Sequence, residues 1–264
     1  MRAPFQVGDF PFPVAYGYAT VGVVTAGPAQ RVGQTVFSLS PHQTVNRLPA
    51  EAAVPLPDGL PPRRAVLAAN TETALNTVWD AGIGPGDRVA VVGGGILGLL
   101  VAAIAAAIPA VALTVVDIDA GRAAPAAALG AAFALPDAAP RDCDVVIHAS
   151  ATAAGLATAL ALAGFEATVV EASWYGADAP AVPLGGAFHS QRLTIRSSQV
   201  GHVPPARRAR WSRRRRLETA LGLLCDPRFD TLITGEVAFA DLPAALPAIL
   251  DARAPGLATV VRYG

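Results

Sequence analysis

From Val89 to Val116 the chain carries no charged side chain for 28 consecutive positions. Together with its flanks, Arg88 to Arg122, this stretch limits the fold more than any other. A transmembrane helix needs about 20 apolar residues and would fit within it. A strand, a glycine turn, a helix and a second strand, the opening of a dinucleotide-binding fold, would use the same residues differently. Local chemistry supports the second structure. Val89–Val92 is short and β-branched, as a strand buried on both faces is. Gly93, Gly94 and Gly95 follow at once, and each glycine costs a helix about 1 kcal/mol relative to alanine. Ile96–Ile108 is rich in Ala and Leu, Pro109 ends it, and Val111–Val116 is β-branched again up to Asp117.

The spacing Gly93-x-Gly95-x-x-Gly98 has a mechanical reading. The first glycine permits the tight turn, the second lets the backbone approach a pyrophosphate, and the third lets the helix pack close to the strand. Ile96 and Leu97 then open a helix whose N-terminal N–H groups suit phosphates. Asp117 lies 19 residues after Gly98, where a carboxylate accepts hydrogen bonds from ribose hydroxyls. That charge repels a 2′-phosphate, so NAD is expected, with NADP the weaker candidate. The competing reading of Asp117 is a cap on a helix starting near Ala120.

The 264 residues, 53% of them hydrophobic with zero formal net charge, suffice for a large core. All twenty basic residues are arginine. With no lysine there is no Walker-A lysine, no Schiff base and no Tyr-x-x-x-Lys dyad. Cys143 and Cys225, 82 residues apart, give neither a disulfide framework nor a CxxC zinc site. The N-terminus MRAPFQVGDF lacks the pattern of a signal peptide, so a cytoplasmic protein without membrane segments is expected.

Residues 1–60 read as short strands and turns, with strands at Val21–Val24, Thr35–Phe37 and Ala52–Val54. Arg63–Ala81 reads as one helix ending at Gly82. After Asp117 the alternation continues: helix 121–129, strand 144–149, helix 153–163, strand 166–172 and strand 193–197. This pattern predicts an α/β fold with a doubly wound parallel sheet. From Pro204 an Arg-rich helix, a strand 236–239, a helix 242–250 and a strand 258–263 complete the chain.

The segments VPLPDGLPP (54–62), TALNTVWDAGIGPGDRVAVVGGGILG (73–98), DIDAGR (117–122), DVVIHASA (144–151), EATVVEASWYG (166–176) and the tail from Phe239 to Gly264 resemble the medium-chain dehydrogenase/reductase family. YGYATVG (16–22), GGAFHS (185–190) and SSQVG (197–201) resemble its zinc-less branch grouped with bacteriochlorophyllide a dehydrogenase. The resemblance implies a Rossmann NAD-binding domain at 61–200, set into a partial GroES-like, β-rich catalytic domain at 1–60 and 201–264. It places Met1 inside that catalytic domain, so several strands are expected to be missing from the start. Zinc members have Gly-His-Glu where this chain has Gly17-Tyr18-Ala19, and a Cys or Glu ligand in the region of Ala69-Asn70. No zinc is therefore expected, and His42, Glu72, His189 and Cys225 form no recognisable ligand set.

Without zinc, hydride transfer still needs a group for the oxygen's proton. Tyr18, at a family ligand position, and Glu72, just before the helix that the family places against nicotinamide, are the candidates; packing and helix capping are the competing roles. Arg122 matches the family position that packs over adenine, or is a solvated helix residue. Ala149 and Ser150 end a strand at the ligand-binding edge of the sheet and are expected to line the adenosine side; Ser173, Trp174, Tyr175 and Gly176 follow the next strand and are expected to face the nicotinamide, with core packing the other reading of the aromatic pair. His42 reads as a turn residue, and His189 and His202 rank no higher. Seven arginines lie between Arg207 and Arg216 around Trp211. They suit a solvated helix face or oligomer contact better than an anion site or nucleic acid, which is not expected in a neutral chain.

The expected function is a zinc-independent, NAD(P)-dependent oxidoreductase that moves a hydride between nicotinamide and an alcohol or carbonyl small molecule. The alternative is a cofactor-binding protein whose shortened catalytic domain does not turn over. A homodimer or homotetramer is the assembly the resemblance implies.

Overall fold

The computed structural model describes residues 8, 9, 13–251 and 254–263. The chain divides into two compact units, one formed by residues 1–72 and 214–264, the other by residues 73–213. In chain order the elements begin with β1 (Thr20–Val23), β2 (Thr35–Ser38), β3 (Val54–Pro55), α1 (Pro62–Ala65) and α2 (Ala68–Ala81). The 28 uncharged positions lie in and between β4 (Arg88–Val92), α3 (Ile96–Ala106) and β5 (Ala112–Val116). Among the described residues no helix is long and apolar enough to cross a membrane. There follow α4 (Ala123–Ala128), β6 (Ala132–Ala134), β7 (Cys143–His148), α5 (Ala153–Leu162), β8 (Ala163–Glu171), α6 (Ala187–Ser190), β9 (Thr194–Ser197) and α7 (Pro205–Arg208). The chain closes with α8 (Arg213–Leu223), β10 (Ile233–Ala238), α9 (Leu242–Ile249) and β11 (Ala258–Arg262).

In the 73–213 unit, six parallel strands run in the order β6-β5-β4-β7-β8-β9. The order reverses between β4 and β7, which makes their C-terminal ends the switch point of a doubly wound sheet, the place where such sheets take ligands. The core explains why the strands read as continuous apolar runs. Val89, Ala90, Val91, Val115, Val116, Val146, Ile147, Val169 and Val170 are at most 1% exposed, because helices cover both faces. Leu99, Leu100 and Val101 of α3 are fully buried, each side chain contributing about 1.5–3 kcal/mol of apolar transfer free energy.

In the other unit, β1-β2-β3 form an antiparallel sheet and β10 and β11 pair in parallel. The expected helix 63–81 is two helices. Both Val66 and Leu67 donate their N–H groups to the Arg64 carbonyl, which closes a tight turn between α1 and α2. Arg64 itself, 5% exposed, is clamped by the Asp230 carboxylate at 2.7 and 2.8 Å and by the Leu224 and Cys225 carbonyls. The bidentate bond to Arg64 holds the Asp230 carboxyl below its ordinary range against the opposing effect of burial.

Candidate functional site

The three motif glycines do different work. Gly93, at φ +110°, ends β4 in a conformation that L side chains rarely adopt. A Cβ there would sit 2.7 Å from the Ser150 N and 2.8 Å from the Ala149 carbonyl carbon, so β4 and β7 approach too closely for any side chain. A Cβ on Gly98 would meet the Gly93 oxygen at 1.8 Å, which seats α3 directly on the turn. Around Gly95 a Cβ would meet nothing within 4 Å. Gly95 is exposed at the N-terminus of α3 and no side chain caps that end. The first intrahelical bond runs from Leu99 N to Gly95 O, leaving the N–H groups of Ile96, Leu97 and Gly98 aimed past the helix end. Fixed donors, the positive end of the helix dipole and open space together form a cradle of the kind that takes phosphate.

Asp117 stands at the end of β5. Its carboxylate accepts from Gly94 N at 2.6 Å and from Asp119 N at 2.8 Å. The capping alternative is thereby corrected: Asp119, not Asp117, caps the turn 120–122, accepting from Gly121 N at 2.8 Å. Arg122, 3.2 Å from Asp119, packs against the glycine turn, since a Cβ on Gly94 would lie 3.0 Å from the Arg122 Cβ. Gly94, Asp117 and Arg122 thus form one side of the cradle.

On the other side of the switch point, β7 and β8 present matching ends. His148 pairs in register with Glu171, and each is followed by Ala-Ser. The His148 Nδ1 lies 2.9 and 2.8 Å from the two Glu171 carboxylate oxygens, and Nε2 lies 2.8 Å from the Ser150 Oγ. Glu171 also accepts from Ser173 N at 2.8 Å and from the Tyr175 hydroxyl at 3.1 Å. Burial raises the Glu171 carboxyl, but the bonds from His148 and Ser173 outweigh it and hold the group below its ordinary range. Burial, then the Glu171 charge and the bond to it, pushes the Tyr175 phenol up to about 12. Ser173 Oγ accepts from Ala151 N at 3.0 Å, fixing Ala151 at φ +53°. Trp174 is 69% exposed and is not part of the core. His148 and Glu171 were not singled out in the sequence, whereas Tyr175 was, as one of the aromatic pair after this strand. The signal was the equal offset of VVIHAS and TVVEAS, which parallel pairing turns into a face-to-face His and Glu.

In the 1–72 and 214–264 unit, the two positions that the resemblance equates with metal ligands meet. The Tyr18 hydroxyl donates to Asn70 Oδ1 at 3.0 Å, and burial of that phenol pushes its pKa up, although the residue as a whole is half exposed. Glu72 is 6% exposed and accepts from the Nε of Arg216 at 3.0 Å; Arg216 is itself 1% exposed. The His42 ring lies against Gly17, and its Nδ1 is 3.2 Å from the Tyr263 hydroxyl, which places it in packing. His189 and His202 are exposed. The arginine run disperses into separate roles. Arg207 stacks 5.1 Å over the Trp79 ring, which packs on Trp211. Arg214 bonds Glu218 and the Glu51 carbonyl, and Arg216 is sealed against Glu72.

No family model matches the chain. Solved structures do match it. L-idonate 5-dehydrogenase of Escherichia coli superposes with a TM-score of 0.78 at 16% identity, over 97% of this chain and 84% of that one. Galactitol-1-phosphate dehydrogenase of Escherichia coli gives 0.76 at 17% identity, over 93% and 84%. An alcohol dehydrogenase of Escherichia coli in complex with NADH gives 0.73 at 17% identity, over 92% and 82%. At this level of identity the likeness establishes the fold. The chain has the fold of the medium-chain, zinc-type alcohol dehydrogenase-like enzymes, a six-stranded Rossmann sheet joined to an antiparallel one.

Proposed function

We propose that this chain is a nicotinamide-dinucleotide-dependent oxidoreductase that interconverts an alcohol and a carbonyl without zinc. The observation that carries the proposal is the cradle itself: open space at Gly95, free N–H groups at the start of α3, and the Asp117 carboxylate beside it. Ile96, Leu97 and Gly98 would hold the pyrophosphate, and Asp117 the adenosine ribose. Arg122 would flank the adenine, Ala149 and Ser150 would line the adenosine side, and Ser173 and Trp174 would face the nicotinamide. Bound there, the cofactor supplies or accepts a hydride at its nicotinamide ring. The dehydrogenases that share this fold, one of them in complex with NADH, support the reading.

Tyr18 is the group we assign to the substrate oxygen. Its raised pKa keeps the phenol protonated at neutral pH, and its one hydrogen, given to Asn70 Oδ1 in this structure, would turn to the substrate oxygen when a carbonyl is bound. A phenol and a carboxamide are also poor zinc ligands, whereas tetrahedral zinc sites use thiolate, imidazole and carboxylate. Glu72 serves better as a positioning group, because Arg216 already holds it in a buried ion pair.

Two measurements test this. Titration of the protein with NADH, followed by nicotinamide fluorescence, shows saturable binding. Asp117→Ala weakens that binding at least about tenfold, the scale of a lost charge-assisted bond pair, and narrows the preference for NADH over NADPH. Absence of NADH binding to the unaltered protein sinks the proposal. Assayed against a panel of alcohols and carbonyls, Tyr18→Phe lowers kcat by about 100- to 10,000-fold while the NADH Kd is unchanged. Binding without turnover on every member of the panel replaces the enzyme with a cofactor-binding protein.

A further inference from the structure

The chain of polar groups at the ends of β7 and β8 is more than the cradle requires. Its hydrogen bonds have a direction. The nearest neighbours of His148 Nδ1 are the two Glu171 carboxylate oxygens at 2.9 and 2.8 Å, whereas the Ser173 Oγ and the Tyr175 hydroxyl stand farther off at 3.4 Å and the Tyr175 hydroxyl donates to Glu171, so Nδ1 carries the hydrogen and donates to Glu171. With the imidazole neutral, Nε2 is then an acceptor and Ser150 donates to it at 2.8 Å. Thr152, 3.0 Å from Ser150, completes the row, its oxygen in turn accepting Gly155 N. Gly155 is glycine for this row: a Cβ there would lie 2.0 Å from the Ser150 Oγ and 2.9 Å from the His148 Nε2.

Ser, His and Glu at these distances have the spacing of a hydrolytic triad. Two facts oppose a nucleophilic serine. His148 is 0% exposed, so its ring cannot itself reach a leaving group. The N–H of Ala151, the residue after the serine, is already given to Ser173 Oγ and is not free for an oxyanion. The His148–Glu171 pair communicates with the surface of the site through Ser150, which borders the glycine turn at the switch point, and through Ser173, which donates its N–H to Glu171 at the strand end that would face the nicotinamide.

We infer that Ser150, His148 and Glu171 form a proton-linked discriminator between oxidised and reduced cofactor: the site takes up one proton more readily when the nicotinamide ring is neutral. The inference rests on the dinucleotide reading above. With Glu171 ionised, proton uptake changes the buried pair from a net charge of −1 to 0. It also makes Nε2 a donor, so Ser150 turns its own hydrogen outward. The cationic ring of NAD⁺ favours the negative, acceptor state, whereas the neutral ring of NADH does not. Hydride donation leaves a cationic ring behind, so the same step that consumes NADH lowers the hold on this proton. The charged and titratable groups that face His148 are few among the described residues. β8 supplies Glu171 and the segment after it Tyr175, whereas α5 brings only Thr152 and Gly155 and β4 apolar residues and backbone.

The test is the ratio of the NADH and NAD⁺ dissociation constants measured across about four pH units around neutrality. NADH is measured by fluorescence and NAD⁺ by displacement of NADH. In the unaltered protein Kd(NADH)/Kd(NAD⁺) rises with pH, with a limiting slope of tenfold per pH unit for one linked proton. His148→Gln keeps neighbours on both sides but does not titrate, and its ratio is flat. Glu171→Gln weakens the hold on the proton and moves the rise to lower pH, which a merely structural role would not do. A flat ratio in the unaltered protein, or a slope that survives His148→Gln, overturns the inference while the cofactor site stands. Failure of both cofactors to bind removes the dinucleotide reading and this inference with it.

Discussion

Gly95→Ala leaves the melting temperature where it was and lowers NADH affinity at least about tenfold, whereas Gly98→Ala damages the fold itself. The two glycines stand three residues apart, yet their surroundings are opposite. Gly95 has ordinary extended backbone, with φ −74° and ψ −176°, and a Cβ there meets no atom within 4 Å, so the folded protein accepts a methyl group without strain. That methyl group fills the space between the free N–H groups and any pyrophosphate they would hold. At Gly98 the same methyl group would lie 1.8 Å from a backbone oxygen that has nowhere to go, because Gly93 is pinned by its N–H bond to Val116 O. Overpacking against backbone costs about 1–3 kcal/mol or more. In a chain of this size each kcal/mol moves Tm by about 2–4 °C, so a fall on the order of 5–10 °C is expected. Differential scanning fluorimetry beside the NADH titration reads both effects. Wild-type affinity in Gly95→Ala would mean that the pyrophosphate does not lie at this helix end. An unchanged Tm in Gly98→Ala would mean that α3 is not seated on the turn as described.

That contrast shows which parts of the molecule could be read from residues alone. The β4–α3–β5 unit was legible because its signals are local: β-branched runs, glycines at fixed spacing and a carboxylate at a strand end. β6 was not, since Ala132-Phe133-Ala134 has little strand propensity and exists because β5 offers it a partner edge. The division of 63–81 into α1 and α2 was hidden for a similar reason. Nothing in the local sequence shows that Arg64 is drawn into the Asp230 carboxylate 166 residues away. Candidate site residues followed the same rule. Gly93, Gly95, Gly98 and Asp117 could be found by spacing, because each acts on its own neighbourhood. His148 and Glu171 could not, because what makes them a pair is the register of two parallel strands. The arginine run misled by its composition, since its Arg216 is among the most buried side chains in the protein.

The Glu72–Arg216 pair provides the largest effect expected on stability. Glu72→Ala removes one member of an ion pair whose side chains are only 8% and 2% exposed, and takes the carboxylate away from a buried guanidinium. Breaking a buried pair from one side costs about 3–5 kcal/mol, because the remaining charge keeps its desolvation penalty. A fall in Tm on the order of 10 °C follows at this chain length. Replacing both partners by apolar residues of similar size, Glu72→Leu with Arg216→Met, removes the two penalties together and recovers most of that loss. The thermal melts of the two single variants and the double variant measure the coupling directly. Equal losses that simply add would show that the pair does not act as one. The double variant also settles the roles at the chemical step. If Glu72 carried the proton of the substrate oxygen, a stable double variant would bind NADH and turn over nothing. If Glu72 only holds α2 and α8 in place, the double variant keeps its turnover, and the large loss of kcat belongs to Tyr18→Phe.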